Sequence, residues 1–204
     1  MRPKRPPTLT RKKWLRAANA QGVQSRIKSD SFLEVYQTLL KEADHRKRLS
    51  WIDAVALLHM VYAWMPRMLR VDLLNGINQQ ERARILKLLT KAQRGQVLDA
   101  GELETVMIFS NKSAVGASKV LHLLNPNTYP IWDSRVANEF LWKKVAQSTL
   151  NKADRYVAYQ EQMLKWSKDT DVKRSCARLR KLNPLLKKAS QMRLMELVLF
   201  RRAK

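Results

Sequence analysis

The residues of this 204-residue chain that could do chemistry are concentrated in one segment, residues 110–136. Gly116 predicts a tight turn there, because glycine adopts backbone conformations that other residues avoid, and amides exposed at such a turn bind phosphate. Asp133 follows an apolar run (Tyr-Pro-Ile-Trp, residues 129–132) and precedes a predicted helix that begins near Ser134. A carboxylate at this position either caps the helix or acts as a catalytic group in a partly dry pocket.

Two motifs in this segment carry a resemblance to a known family. Residues 115–119 (Val-Gly-x-x-Lys), a short apolar helix and then residues 130–136 (Pro-Ile-Trp-Asp-Ser-Arg-Val) resemble the helix-hairpin-helix DNA glycosylase superfamily. In that family a glycine-containing hairpin binds the DNA backbone, and an apolar run delivers an essential aspartate. The match covers about 30 of the 204 residues. The chain departs from the pattern at Ala114, where the family's hairpin usually has a second glycine.

The resemblance implies roles for particular residues. Asp133 would be the catalytic aspartate, and Lys119 could match the lysine with which members that have lyase activity attack the sugar C1′. Lys119 and Asp133 are closer in sequence than the family's pair, which leaves open a phosphate contact or a solvated helix position for Lys119. The resemblance assigns DNA-backbone binding to Lys112, Ser113, Val115, Gly116, Ala117, Ser118 and Arg135. The candidates for a base pocket are Tyr62, Trp64, Met65, Tyr129 and Trp132.

The implied function is that of a DNA glycosylase, and the chemistry fits the residue type. Breaking an N-glycosidic bond builds positive charge on the deoxyribose, which a fixed carboxylate such as Asp133 stabilises while it orients the attacking water. A base inside a duplex is out of reach, so the enzyme must extrude it into a pocket. We expect the substrate to be a damaged or chemically modified base, such as a hypermodified base of bacteriophage DNA, in DNA repair or phage defence.

Two other classes of function stay open. Relatives of this superfamily are proposed to transfer amino acids or polyamines to thymine in bacteriophage DNA. A non-enzymatic DNA-binding protein would keep the hairpin only to hold the backbone. Released base, altered base or neither distinguishes the three.

The remaining candidate residues favour structural roles. His59 and His122 lie in apolar helices and are expected to be buried, satisfied histidines. Cys176 would have a lowered pKa only if the bases around it converge on its thiol. Three histidines and one cysteine, far apart in sequence, give no zinc spacing, and we expect neither metal nor cofactor.

The charge of the chain points to a polyanionic partner. Forty Lys and Arg residues stand against 17 Asp and Glu, a net charge of +23. The excess lies at the two ends, with 13 basic and 4 acidic residues in residues 1–50 and 15 and 5 in residues 151–204. Such an excess attracts DNA through counterion release, and an anionic membrane surface is the weaker alternative.

Composition and periodicity predict an all-α fold. Only 5 glycines occur, 45% of the residues are apolar, and no strand pattern appears. We expect a helical bundle of the glycosylase type. Its predicted helices cover residues 31–43, 51–62, 79–93, 100–109, 151–166, 172–182 and 184–200, with the second most deeply buried. Ser50 with Asp53, and Asp99 with Glu102, have the spacing of capping boxes, and Pro66 should end or kink the second helix.

The domain organisation follows from the same patterns. Residues 1–28 are expected to form a basic, flexible arm, and residues 29–204 one domain with basic C-terminal helices, in which residues 110–140 carry the hairpin and the catalytic segment. A single cysteine and the lack of a secretory or membrane-spanning run indicate a soluble, intracellular protein. The resemblance implies a monomer in the cytoplasm of a bacterium or of a phage-infected cell, associated with the nucleoid.

Overall fold

The computed structural model describes residues 9–44, 49–65, 68–141 and 144–203, and in these ranges all regular secondary structure is helical, without a strand. The prediction of an all-α fold is confirmed. The α-helices are α1 (Arg11–Asn19), α2 (Gln21–Lys28), α3 (Phe32–Asp44), α4 (Trp51–Ala63), α5 (Val71–Asn75), α6 (Gln79–Gln93), α7 (Ala100–Phe109), α8 (Ala114–Leu124), α9 (Ser134–Leu141), α10 (Gln147–Leu150), α11 (Ala153–Ser167), α12 (Thr170–Arg180) and α13 (Gln191–Arg202).

The starts of the helices follow local capping chemistry. Both predicted capping boxes are present: Ser50 and Asp53 open α4, and Asp99 and Glu102 open α7. In each box the side chain of the first residue accepts the amide N–H of the residue three later, whose carboxylate accepts the first residue's N–H. The predicted helix over residues 79–93 matches α6 at both ends.

Two helices, α8 and α13, hold the bundle together. Helix α8 packs against α3, α4, α6 and α7, while α13 packs against α1, α2, α9, α11 and α12. Every residue from 192 to 199 of α13 is buried. The expectation that α4 is the central helix is wrong, because Ile52 is 79% exposed and His59 is exposed on its outer face.

The N-terminal region is a correction to the sequence-based interpretation. Residues 9–28 are not a flexible arm but form α1 and α2, and residues 1–8 lie outside the described ranges. Trp14 is fully buried, and its indole N–H donates to the Met195 carbonyl of α13 at 3.0 Å. The many basic residues of this region obscured an amphipathic pattern, in which Trp14, Val23 and Ile27 form the buried face.

The C-terminal region also differs from its prediction. Residues 184–200 do not form one helix: Pro184–Leu186 is a short 3-10 helix, and α13 begins after Ser190. The Ser190 hydroxyl accepts the Arg193 N–H at 3.0 Å, so a second capping residue restarts the helix. Pro66 lies outside the described residues, and α4 ends before it at Ala63. In the described ranges, no helix is both long enough and apolar enough to span a membrane.

Candidate active site

A cavity of about 400 Å³ lies among helices α3, α4, α8, α9, α10 and α13, and its volume is within the range of small-molecule sites. Its deep side is charged, and its rim includes the exposed residues Phe32, Ser134 and Arg135. The cavity is lined by Asp30, Phe32, Tyr62, Trp64, Met65, Asn111, Ser113, Val115, Lys119, Ile131, Asp133, Ser134, Arg135, Gln147, Leu150, Asn151, Arg193, Glu196 and Phe200.

Asp133 both caps a helix and lines the cavity. Its carboxylate Oδ1 accepts the Val136 N–H at 2.8 Å, and its carbonyl accepts the Ala137 N–H at 2.8 Å, so it caps α9. The same side chain lines the cavity. Burial raises the pKa of Asp133, against the opposing influence of the Val136 amide and the charge of Lys119. The cap fixes the direction of a carboxylate in a poorly hydrated site.

Lys119 lies on α8 and lines the same cavity as Asp133. Its Nζ is 5.0 Å from the centroid of the Trp64 ring, a cation–π distance. Burial lowers the pKa of Lys119, and the charges of Asp133 and Glu196 oppose that shift. Lys119 therefore loses its proton more readily than a lysine in water.

A buried ion pair on α13 completes the charged part of the cavity, and the sequence patterns did not predict it. Arg193 Nη1 lies 2.6 Å from Glu196 Oε2, and the side chains are 6% and 1% exposed. The Arg193 guanidinium carbon is 4.4 Å from the centroid of the Tyr36 ring. Burial raises the pKa of Glu196 to about 7, although Arg193 lowers it. The cavity is thus lined by three basic residues (Lys119, Arg135 and Arg193) and three acidic residues (Asp30, Asp133 and Glu196), equal in number.

The signal for this pair was present in the sequence. Arg193 and Glu196 are the two charged residues of residues 192–199, a run that is otherwise apolar, and their spacing of three puts both on one helix face. Charged residues inside an apolar helix need buried partners, because an unpaired buried charge is costly. What the sequence did not show is that the partners are each other.

The predicted base-pocket residues divide into two groups. Tyr62, Trp64 and Met65 line the cavity, as expected. Tyr129 and Trp132 do not: both are fully buried in the core. The Tyr129 hydroxyl donates to the Gln96 carbonyl, and the Trp132 indole N–H donates to the Leu150 carbonyl at 2.9 Å. These two rings anchor the loop that leads to Asp133 and are not placed to stack on a ligand.

The predicted turn at Gly116 is also corrected. Gly116 lies in the first turn of α8, where its N–H donates to the Ser113 hydroxyl at 3.2 Å. The tight turn falls at Asn111 and Lys112, whose φ angles are 56° and 54°. A larger residue at position 116 would be crowded, because a Cβ there would lie 3.0 Å from the Tyr62 hydroxyl oxygen. Gly116 permits close packing of α8 against α4, and its amide is used inside the helix.

The predicted DNA-backbone residues divide as well. Ser113, Val115 and Arg135 line the cavity, and Lys112 lies on the turn beside it. The remaining three, Gly116, Ala117 and Ser118, are buried, so they are not placed to contact a nucleic acid.

Ser118 instead connects α8 to the loop before Asp133. Its hydroxyl oxygen accepts the Trp132 N–H at 3.0 Å, and it lies 2.9 Å from the Val115 carbonyl, to which it donates. Ser118 adjoins Lys119 and Trp132 adjoins Asp133, so this bond ties together the two chain segments that carry the lysine and the aspartate.

The other candidates are structural. His122 is fully buried between the Tyr36 hydroxyl (2.9 Å) and the Tyr129 carbonyl (2.6 Å), and burial lowers its pKa to about 3. His59 is exposed, contrary to expectation. Cys176 is buried, which raises its pKa to about 12, so the neighbouring bases do not activate it. Among the described residues no group of three or more His, Cys, Asp or Glu side chains could hold a metal ion.

Comparisons of the chain with protein-family models, with curated proteins and with solved structures find no match. The function is therefore inferred from the cavity and its residues.

Proposed function

We propose that this protein is a DNA glycosylase, a helical bundle of the helix-hairpin-helix type that accepts an extruded modified or damaged base in the cavity and hydrolyses its N-glycosidic bond. One observation carries the proposal: Asp133 and Lys119 line a single cavity together with Tyr62 and Trp64. The sequence patterns alone select these same residues. The setting is the cytoplasm, with the protein acting on DNA as a monomer.

The reaction assigns a task to each group. The C1′–N bond breaks, and the base leaves with the bonding electrons and takes up a proton from solvent. The positively charged sugar is stabilised by the Asp133 carboxylate, whose direction the Val136 amide holds. Water adds its oxygen to C1′ and loses a proton to Asp133, whose pKa burial raises, and Asp133 then releases this proton to solvent.

The walls of the cavity suit a base. Tyr62, Trp64 and Met65 offer aromatic and apolar surfaces, and flipping enzymes stack the extruded base on such side chains. Lys119, with its lowered pKa, is suited to attack C1′ in a lyase step. Borohydride reduction during turnover would trap a covalent protein–DNA adduct if this step occurs, and Lys119→Gln would abolish the adduct.

The test of the proposal is base release. Purified protein is incubated with duplex oligonucleotides that each contain one modified base, and free base is measured by mass spectrometry. Asp133→Asn should reduce release at least about 100-fold, a typical size for loss of an electrostatic catalytic group, because asparagine retains the cap but not the charge. DNA affinity should stay within about threefold, the change expected when charged contacts to phosphate are intact.

A matched control is Glu104→Gln, which makes the same carboxylate-to-amide change at an exposed position of α7. It should leave base release unchanged. Unaltered release by Asp133→Asn overturns the proposal. A base that is altered but not released would indicate a transferase, and DNA binding without either product would indicate a binding protein.

A further inference from the structure

The fold brings the basic ends of the chain together on one surface. We call basic lobe the residues 9–28, which form α1 and α2, and residues 168–190, which form α12 and the 3-10 helix. These two segments contain 14 Lys and Arg residues and two acidic residues, Asp169 and Asp171. More than half of the net charge of +23 therefore lies in the basic lobe.

Side-chain contacts join the two segments directly. Arg178 Nη2 donates to Asn19 Oδ1 at 3.0 Å, and Asn183 Nδ2 donates to the Lys28 carbonyl at 3.0 Å. Arg11 Nη1 lies 2.7 Å from Asp169 Oδ2. The ends of the sequence thus form one continuous surface.

The basic lobe has little negative charge to cancel its bases. Its two acidic residues already form ion pairs with arginines of the lobe: Asp169 with Arg11, and Asp171 with Arg11 and Arg174. Exposed bases remain on each α-helix of the lobe and after its 3-10 helix, among them Lys12, Lys28, Lys173 and Lys188. A solvated surface normally mixes both signs, so this one is unusual.

The basic lobe continues to the rim of the cavity. Helix α2 ends at Lys28, and Asp30, two residues later, lines the cavity. Arg201 Nε donates to Asp30 Oδ2 at 2.9 Å, and Arg26 Nε donates to the Arg201 carbonyl at 2.6 Å. The end of α2 in the basic lobe therefore lies beside a residue that lines the cavity.

The turn between α7 and α8 has much less positive charge than the basic lobe. Residues 108–118 contain one basic residue, Lys112. A turn with one basic residue supplies few phosphate contacts, whereas affinity for DNA increases with the number of such contacts.

We propose that the basic lobe, and not the α7–α8 turn, is the main surface that binds the backbone of double-stranded DNA, beside the nucleotide that enters the cavity. The choice of DNA rests on the proposed function. Among the described residues, no large hydrophobic side chain of the lobe is exposed. The lobe therefore offers neither an apolar surface for insertion into a membrane nor a ring for stacking unpaired bases.

The test compares two sets of four substitutions in the full chain. The lobe variant carries Lys173→Gln, Lys181→Gln, Lys187→Gln and Lys188→Gln, all at exposed positions. The control variant removes the same charge elsewhere through Arg84→Gln, Lys87→Gln, Lys144→Gln and Lys152→Gln, also exposed. Binding to an unmodified 20-base-pair DNA duplex, a length of about two helical turns, is measured from 50 to 200 mM salt.

The lobe variant should bind DNA at least about tenfold more weakly at low salt. The plot of log affinity against log salt should become less steep, by about 0.9 for each phosphate that the variant no longer neutralises. The control should change affinity less than about threefold, as for charges outside a contact surface. Thermal unfolding of both variants verifies that they fold.

Equal reductions of affinity in the two variants overturn the proposal. The proposal is also overturned if the wild type binds duplex RNA or phosphatidylserine vesicles more tightly than duplex DNA and the lobe variant loses that binding. This experiment does not measure base release, so it is independent of the test of the proposed function. If the wild type binds DNA through the lobe but releases no base, the glycosylase proposal is refuted and the lobe remains the DNA-binding surface.

Discussion

The cavity and the basic lobe are both rich in charge, but they use it in opposite ways. The cavity has three basic and three acidic residues, with Arg193 and Glu196 buried and paired at 2.6 Å. The basic lobe has 14 basic and two acidic residues, and most of these side chains are exposed. Buried charges persist only when they are paired, whereas exposed charges cost little because water screens them. The number of charged residues therefore does not reveal a role, and their environment does.

The comparison also separates single from collective effects. Loss of one partner in the cavity leaves an uncompensated buried charge, which is costly for folding. Loss of one lysine in the lobe removes a small part of a field that many residues create together. Four predictions test this difference, in order of decreasing effect.

Arg193→Met should lower the free energy of unfolding by about 3–5 kcal/mol at pH 8, because it leaves Glu196 buried without its partner. Arg174→Met is the control: it breaks the exposed contact with Asp171, at 3.6 Å, and should cost less than about 1 kcal/mol. Urea unfolding measures both. Similar destabilisation of the two variants would erase the contrast between buried and exposed charge.

The wild-type protein should lose stability as pH rises from 4.5 to about 7 through Glu196. The folded-state pKa of about 7 lies above the ordinary 4.5, so in this range the unfolded chain has released a proton that the folded chain still binds. The loss is on the order of 3 kcal/mol. Glu196→Gln should remove it, and Glu104→Gln should not. Identical pH dependence in the wild type and Glu196→Gln would refute this assignment.

Gly116→Ala and Gly22→Ala should have opposite effects, although both place alanine in a helix. Gly116→Ala should cost about 1–3 kcal/mol, because its Cβ meets the Tyr62 hydroxyl at 3.0 Å and Ser110 Cβ at 3.2 Å. Gly22, in the basic lobe, has nothing within 4 Å of such a Cβ, and its substitution should stabilise by up to about 1 kcal/mol.

A double-mutant cycle tests the cause at position 116. In a Tyr62→Phe background, which removes the hydroxyl, Gly116→Ala should cost less than in the wild type. Equal costs in the two backgrounds would show that the hydroxyl is not the obstacle. Thermal and urea unfolding provide the free energies.

The smallest effect is expected for the stability of the lobe variant with Lys173, Lys181, Lys187 and Lys188 changed to Gln. Its free energy of unfolding should stay within about 0.5 kcal/mol of the wild type or rise slightly, since exposed like charges repel one another. The measurement is urea unfolding at low salt. A decrease above about 2 kcal/mol, the range of buried interactions, would show that these lysines hold the fold together.

Local chemistry explains which parts of the fold were predictable. The Ser50–Asp53 and Asp99–Glu102 boxes and the bounds of α6 depend on residues within a few positions of each other. The N-terminal helices were missed because dense positive charge concealed the spacing of Trp14, Val23 and Ile27. These side chains are buried by packing against α12 and α13, which lie far away in the sequence.

For the candidate site, the sequence was informative about residue types and not about directions. It selected Asp133 and Lys119, which line one cavity, but it also selected Tyr129 and Trp132, whose rings are buried in the core. All four occur in the same short segment. Whether an aromatic ring faces a cavity or the core depends on the helices that pack around it, and these come from distant parts of the chain.

By itself, the sequence determined an all-α chain, its main helix caps, its net charge and the two residues around which the proposed chemistry is built. These properties depend on composition and on short-range spacing. The tertiary structure alone decided that Arg193 and Glu196 reach the same cavity as Asp133, and that the two basic ends meet in one lobe. Contacts between residues far apart in sequence are set by how helices pack, which no local pattern encodes.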